Sequence, residues 1–201
     1  MDLSQLSDFF TLDRSLEIAG FITGLAYLWF EYHANRLVWL TSMIMPMISV
    51  WVYFRSGLYA DFAINIYYLV IAVYGYIAWS IGSKRKEGPA LRITHTPARM
   101  YAVLFCALAV IFAVLAYILV NFTPSNVPYY DAFTTALSIV AMWMMARKYA
   151  EQWLAWLIVD AVYIGLYYYK QIYFYSALYA VYTVIAALGY RKWLSLMRQG
   201  L

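Results

Sequence analysis

Cysteine is nearly absent. The 201 residues hold one, Cys106, so no internal disulfide can form. Histidine occurs twice, as His33 and His95, in separate connectors without a nearby set of ligands, which speaks against a metal site and gives no reason to expect a cofactor. Charged residues make up only 12% of the chain. No cluster of His or Cys stands beside a nucleophile at depth, so the residues do not read as an enzyme. The last long apolar run, Tyr173–Tyr190, contains no lysine, since Lys170 and Lys192 lie outside it. That absence excludes a retinal protein, whose chromophore needs a lysine there. The N-terminal segment has no basic start and carries Asp2, Asp8, Asp13 and Glu17, so it does not read as a cleaved signal peptide.

What is present is apolar surface. Hydrophobic residues make up 66% of the chain, and Met100–Val120 is a run of 21 residues without a charge. About 20 residues cross a hydrocarbon core of roughly 30 Å. The 22 Tyr and 8 Trp suit helices that meet the headgroups at both ends. Barrel strands are excluded, because the runs far exceed strand length and do not alternate polar with apolar.

Seven spans fit, at about 16–32, 37–54, 58–81, 99–120, 129–145, 153–169 and 173–190. Short connectors with charge or punctuation separate them: Arg55-Ser56-Gly57, the basic loop from Ser83 to Pro97, Asn121–Pro128 and Arg147-Lys148. Seven spans sort the 14 Lys and Arg into 3 on the N-terminal side (Arg14, Arg55, Lys170) and 11 on the other. This bias predicts an extracytoplasmic N-terminus and a cytoplasmic C-terminus in a bacterial inner membrane. It also accounts for the net charge of +4 without a nucleic-acid partner. Lys84-Arg85-Lys86 reads as an anchor facing anionic lipid.

The chain repeats itself. Trp39–Trp79 aligns without a gap on Trp153–Trp193, 114 residues on, with 13 identities that include Trp39/Trp153, Gly75/Gly189, Tyr76/Tyr190 and Trp79/Trp193. Carried backward, the offset pairs Glu17 with Asp131 and Trp29 with Trp143, so the unit 16–79 recurs as 130–193. Four spans separate equivalent helices, so the two three-helix units cross in the same sense and the fourth span is the linker. The predicted fold is all-α, an integral membrane bundle of seven transmembrane helices in a 3+1+3 parallel repeat, and such repeats place a substrate path between the halves. The expected organisation is a short N-terminal segment 1–15, a first unit 16–82, a basic loop 83–98, a linker helix 99–120, a second unit 129–193 and a tail 194–201.

Trp153-x-x-Trp156-x-x-x-Asp160 opens the sixth span. Spacings of three and seven share one helix face, and Asp160 falls roughly 10 Å inside at about 1.5 Å per residue. A carboxylate at that depth marks a functional site by default. Two indoles and an acid suit a flat, cationic ring. The repeat partners diverge here: Asp160 answers to Pro46, a kink site in the second span, and Trp156 answers to Ser42. In the other unit Asn65, a polar group at depth, answers to Tyr179.

At these residues the chain resembles the Pnu family of bacterial vitamin transporters, whose members carry nicotinamide riboside or thiamine. The resemblance rests on Glu151–Asp160, on Phe54–Asp61, on Tyr74-Gly75-Tyr76 with Trp79, and on Asp131–Thr135 leading to Ala146-Arg147-Lys148. It covers most of 16–193. It implies a SWEET-like fold that moves an unphosphorylated vitamin by facilitated diffusion, with trapping by a cytoplasmic kinase. Trp153, Trp156 and Asp160 match the family's motif directly. The family's riboside transporters place glutamines where this chain has Asn65 and Met142. A thioether cannot replace an amide's donor and acceptor, so thiamine is expected ahead of nicotinamide riboside. The expected binding residues are Trp153, Trp156, Asp160, Asn65, Met142 and Ser42. Because Asp160 is the one evident mid-membrane acid, with Glu31 and Glu151 near span ends, the mechanism is expected to be uncoupled, a proton-coupled carrier being the alternative. The expected partners are the vitamin and the bilayer, and homo-oligomerisation is left open.

Overall fold

Two prolines open helices in this chain, each where its missing N–H costs nothing. In the computed structural model, which describes residues 12–55, 59–84 and 91–200, Pro97 caps the charge-free run and Pro128 stands in the first turn of the next helix. The described residues form seven helices: α1 Leu12–Tyr32, α2 Leu37–Arg55, α3 Tyr59–Lys84, α4 Ala98–Phe122, α5 Pro128–Ala146, α6 Gln152–Tyr169 and α7 Tyr173–Arg198. Each expected span holds one of them. The N-terminal segment 1–11, the connector residues Ser56 and Gly57, and Arg85-Lys86 lie outside the described residues.

The largest difference from expectation is α7, which runs on to Arg198 rather than stopping at Tyr190. Charge ends an apolar span, not a helix. Lys and Arg are good helix formers, and Arg198 in the last turn complements the helix dipole. Four helical stretches are long and apolar enough to cross a membrane: α2, residues Phe62–Ile81 of α3, α4 and α7. α5 and α6 are more polar and carry Asp131 and Asp160. α5 is also the most enclosed helix, with eleven buried residues, and a helix covered by protein needs less apolar surface than one facing lipid.

The chain divides into two compact units, 1–81 and 82–201. In the first, α1 packs on α2. In the second, α4 to α7 pack in chain order, α4 on α5, α5 on α6 and α6 on α7. Leu137 and Ala141 of α5 meet Ala155 and Val159 of α6, with Leu108 of α4 against them.

The sequence repeat is also a repeat of backbone hydrogen bonds. After α1, Ala34 turns left-handed (φ 51°), its N–H donates to Glu31 O at 3.0 Å, and Asn35 N–H donates to Phe30 O at 2.8 Å. After α5, 114 residues on, Lys148 turns the same way (φ 55°), with Lys148 N–H to Met145 O at 2.8 Å and Tyr149 N–H to Met144 O at 2.9 Å. These paired bonds finish both helices in the manner of a Schellman turn, here without glycine.

The same correspondence governs packing inside each unit. Trp39 lies on Gly75 and meets Trp79 edge to face, with centroids 5.5 Å apart at 88°. Trp153 lies on Gly189 and meets Trp193 at 6.0 Å and 85°. Lipid tails are as apolar as side chains, so helices in a membrane associate through close packing, and small residues permit the approach. A Cβ at position 189 would sit 2.7 Å from ring carbons of Trp153. Gly189→Ala is therefore expected to destabilise the protein in detergent by about 1–3 kcal/mol, the usual cost of overpacking. A thermal melt indistinguishable from wild type would show that the indole is free to move aside.

Candidate functional site

α6 carries the suspected chemistry, and its first turn is tied down by the segment ahead of α4. Thr94 pairs with the α5–α6 connector in both directions: its N–H donates to Lys148 O at 3.1 Å, and its carbonyl accepts from Ala150 N–H at 3.0 Å. Ile93 beside it is buried. Glu151, the residue before α6, accepts from Thr96 N–H and Thr96 Oγ1 at 2.8 Å each and pairs with His95 Nδ1 at 2.6 Å. Burial pushes the Glu151 carboxyl up, but the bonds from His95 and Thr96 outweigh it and hold the group below its usual range.

From that anchor a stripe runs up α6. Trp156, Asp160, Tyr163 and Tyr167 follow at spacings of four, three and four, which is one helix face. Asp160 is 7% exposed and makes no hydrogen bond among the described residues. The indole Nε1 of Trp156, one turn below it, is enclosed and also lacks a partner. The indole nitrogens of Trp39 and Trp153 are likewise buried without a partner, so what marks Trp156 is the open carboxylate one turn away, a group that gives up its hydration without replacement. Together Asp160 and Trp156 offer an acceptor and a donor to a flat polar ligand.

Trp153 is 2% exposed, its ring covered by Gly189 and Trp193. It sets the rotation of α6 and with it the direction of the stripe. Met142 is buried on α5, which packs on α6, and follows Thr134 and Ser138 at four-residue steps. Ser42 and Asn65 belong to the first unit, on α2 and α3. The Ser42 hydroxyl donates to Trp39 O at 2.9 Å.

Three features were not anticipated from the sequence. Tyr163 and Tyr167 extend the stripe beyond Asp160, and Tyr179 and Tyr182 of α7 lie within electrostatic range of Asp160, as does Tyr163. Continuing the four-three spacing past Asp160 would have found the first two. Glu31 is 2% exposed and hydrogen-bonded by Tyr27, although it is the penultimate residue of α1. Position along a span gives depth, not burial. His95, expected in a connector without ligands, pairs with Glu151, and the described residues contain no cluster that could hold a metal ion.

Four long apolar helices define a multi-pass membrane protein, and the comparisons place it among transporters. The family model described as nicotinamide mononucleotide transporter matches residues 14–195. The chain belongs to that family and is a vitamin-type transporter. It is 26% identical over 171 residues to the nicotinamide riboside transporter PnuC of Escherichia coli K12, covering 74% of this chain and 72% of the relative. It is 31% identical over 128 residues to the riboflavin/roseoflavin transporter RibM of Streptomyces davaonensis, covering 62% and 59%. The fold is similar to the crystal structure of the vitamin B3 transporter PnuC, with a TM-score of 0.67 at 22% identity over 97% of this chain and 87% of that one.

The tie ahead of α4 has a defined pH response. Because the Glu151 carboxyl is depressed in the folded protein, its contribution is present above the ordinary glutamate value of about 4.3 and is lost as pH falls through the lower folded value. Glu151→Gln should cost about 1 kcal/mol at neutral pH and speed hydrogen exchange at the Thr94 and Thr96 amides. Exchange at those amides as slow as in wild type would mean that the backbone pairing alone holds the segment.

Proposed function

We propose that this chain carries an unphosphorylated vitamin with a flat heteroaromatic ring across the bacterial inner membrane, and that nicotinamide riboside is its preferred substrate. The observation that carries this reading is the open pair of Asp160 and Trp156 Nε1, one turn apart and both enclosed. A pyridinium cation is matched by the carboxylate. Its carboxamide can accept from the indole N–H, which lies in the plane of the indole. A phosphate would face the same carboxylate, which disfavours the mononucleotide.

The comparisons reverse the expected order of thiamine and riboside. Thiamine was placed first because Asn65 and Met142 stand where riboside carriers have glutamine, yet the named relatives carry nicotinamide riboside or riboflavin, and none is a thiamine carrier. The expectation weighed two positions as if they alone could bind the amide. Trp156 Nε1 is a free donor that it did not count. Riboflavin has no fixed positive charge and makes less use of Asp160.

In this reading Trp156 donates a hydrogen bond, Asp160 neutralises, Met142 lines the α5 side, and Trp153 holds α6 in register. Transport is uncoupled, with a cytoplasmic kinase trapping the product. Glu31, the other buried acid among the described residues, stands one residue from the end of its helix and accepts from Tyr27. The seven-span, 3+1+3 arrangement with an extracytoplasmic N-terminus is supported by the 11:3 bias of Lys and Arg.

Titration of purified protein with nicotinamide riboside, its mononucleotide, thiamine and riboflavin tests the assignment. The riboside should bind most tightly, and Trp156→Ala and Asp160→Asn should each weaken it roughly 5- to 150-fold, the equivalent of about 1–3 kcal/mol. Tighter binding of thiamine would reverse the assignment, and unchanged affinity in both variants would remove the stripe from the site. In kinase-free proteoliposomes the labelled riboside should equilibrate and no further. Accumulation above equilibrium under an imposed proton or sodium gradient would replace the uncoupled mechanism with a coupled one.

A further inference from the structure

Four tyrosines stand in a column beside Asp160, taken alternately from α6 and α7. In order they are Tyr163, Tyr179, Tyr167 and Tyr175, with successive ring centroids 4.7, 5.4 and 5.3 Å apart and planes inclined by 33°, 13° and 26°. The faces are aligned, unlike the perpendicular indole pairs in both units. The lowest ring is fixed, because Thr134 of α5, fully buried, hydrogen-bonds the Tyr163 hydroxyl at 3.1 Å. The uppermost, Tyr175, is 48% exposed and leaves ring surface uncovered.

Two observations separate this column from ordinary helix packing. The first unit keeps the Trp39–Gly75–Trp79 packing but has Ser49, Tyr53, Asp61 and Asn65 where the second has Tyr163, Tyr167, Tyr175 and Tyr179. The repeat scaffold therefore does not need a tyrosine column. In addition, the hydroxyls of Tyr167, Tyr175 and Tyr179 make no hydrogen bond among the described residues. Tyr179 is six residues into α7, about 9 Å at 1.5 Å per residue. An unpartnered hydroxyl at that depth is costly against lipid and is accommodated where the surface lines a polar path.

We propose that the column is an outer binding subsite for the ligand's flat ring, which stacks on the open face of its end ring, Tyr175, before it reaches Asp160, while Tyr167 and Tyr179, covered on both faces, hold that ring in place. The proposal rests on the transport reading above and deepens it. Stacking tolerates any flat ring, so this subsite selects for ring shape, and Asp160 with Trp156 selects for charge and hydrogen bonding. On the helix polarity deduced from the Lys and Arg bias, the column lies in the extracytoplasmic half.

Uptake into proteoliposomes and equilibrium binding in detergent test it together. Tyr175→Leu should slow initial uptake at low substrate by about fivefold or more, while affinity at equilibrium changes by less than about threefold. Tyr175→Phe, which keeps the ring, should recover most of the lost rate. Tyr168→Leu, at a 67% exposed residue outside the column, should behave as wild type. A Tyr175→Leu variant that takes up substrate at the wild-type rate, or loses rate and affinity in parallel, would overturn the subsite. A second arm keeps its failure distinct from failure of the substrate assignment. In a Trp156→Ala, Asp160→Asn background, saturation-transfer NMR with 1-methylnicotinamide should still detect weak ring binding that Tyr175→Leu abolishes. If wild type binds no vitamin in the panel but this signal is present, the substrate assignment falls and the column stands. If the signal is absent from that background, the column is packing only.

Discussion

A tryptophan ring lying on a glycine sets the geometry of the second unit. With no Cβ on Gly189, the Trp153 indole reaches the backbone of α7, and Trp193 closes against its edge. Both ends of the contact are fixed, so α6 cannot rotate about its own axis without losing it. Every other residue of the stripe inherits its direction from that constraint, with Trp156 against the α5–α6 core and Tyr163 and Tyr167 against the rings of α7. The tie from Thr94 and Thr96 to the α5–α6 connector holds the same helix at its start.

Within that frame the polar groups divide by whether their bonds are complete. Thr134, Ser42 and Ser176 give their hydroxyls to backbone carbonyls of α5, α2 and α6. Glu151 is saturated by three donors. Asp160 and the Trp156 indole are enclosed with nothing to bond. In a medium without water the difference amounts to several kcal/mol per group, and the indole nitrogens of Trp39 and Trp153 carry it as well, so an open bond alone does not separate scaffold from site.

Helix positions were legible because an apolar run between charged connectors has one outcome in a membrane, and the repeat was legible because identities such as Trp39/Trp153 and Gly75/Gly189 recur at one offset. The meaning of those identities was not. A tryptophan repeated in both units reads equally as binding residue or scaffold until the glycine beneath it is seen. Tyr163, Tyr167, Tyr175 and Tyr179 are four among 22 tyrosines, and their stacking depends on the relative height of two helices, which no spacing within either one encodes. The pairing of Thr94 with the α5–α6 connector joins segments more than fifty residues apart through backbone groups, which every residue possesses. An indole N–H left without a partner by packing is likewise invisible in a sequence, whereas a missing side chain such as the glutamines at 65 and 142 is not.

The indole–glycine contact closes wholly within one three-helix unit, in both halves of the chain. The same packing therefore recurs in each unit from that unit's own residues. Positions outside it differ between the units: Pro46 and Ser42 stand in one where Asp160 and Trp156 stand in the other. A substitution at those heights leaves both copies of the indole–glycine contact in place.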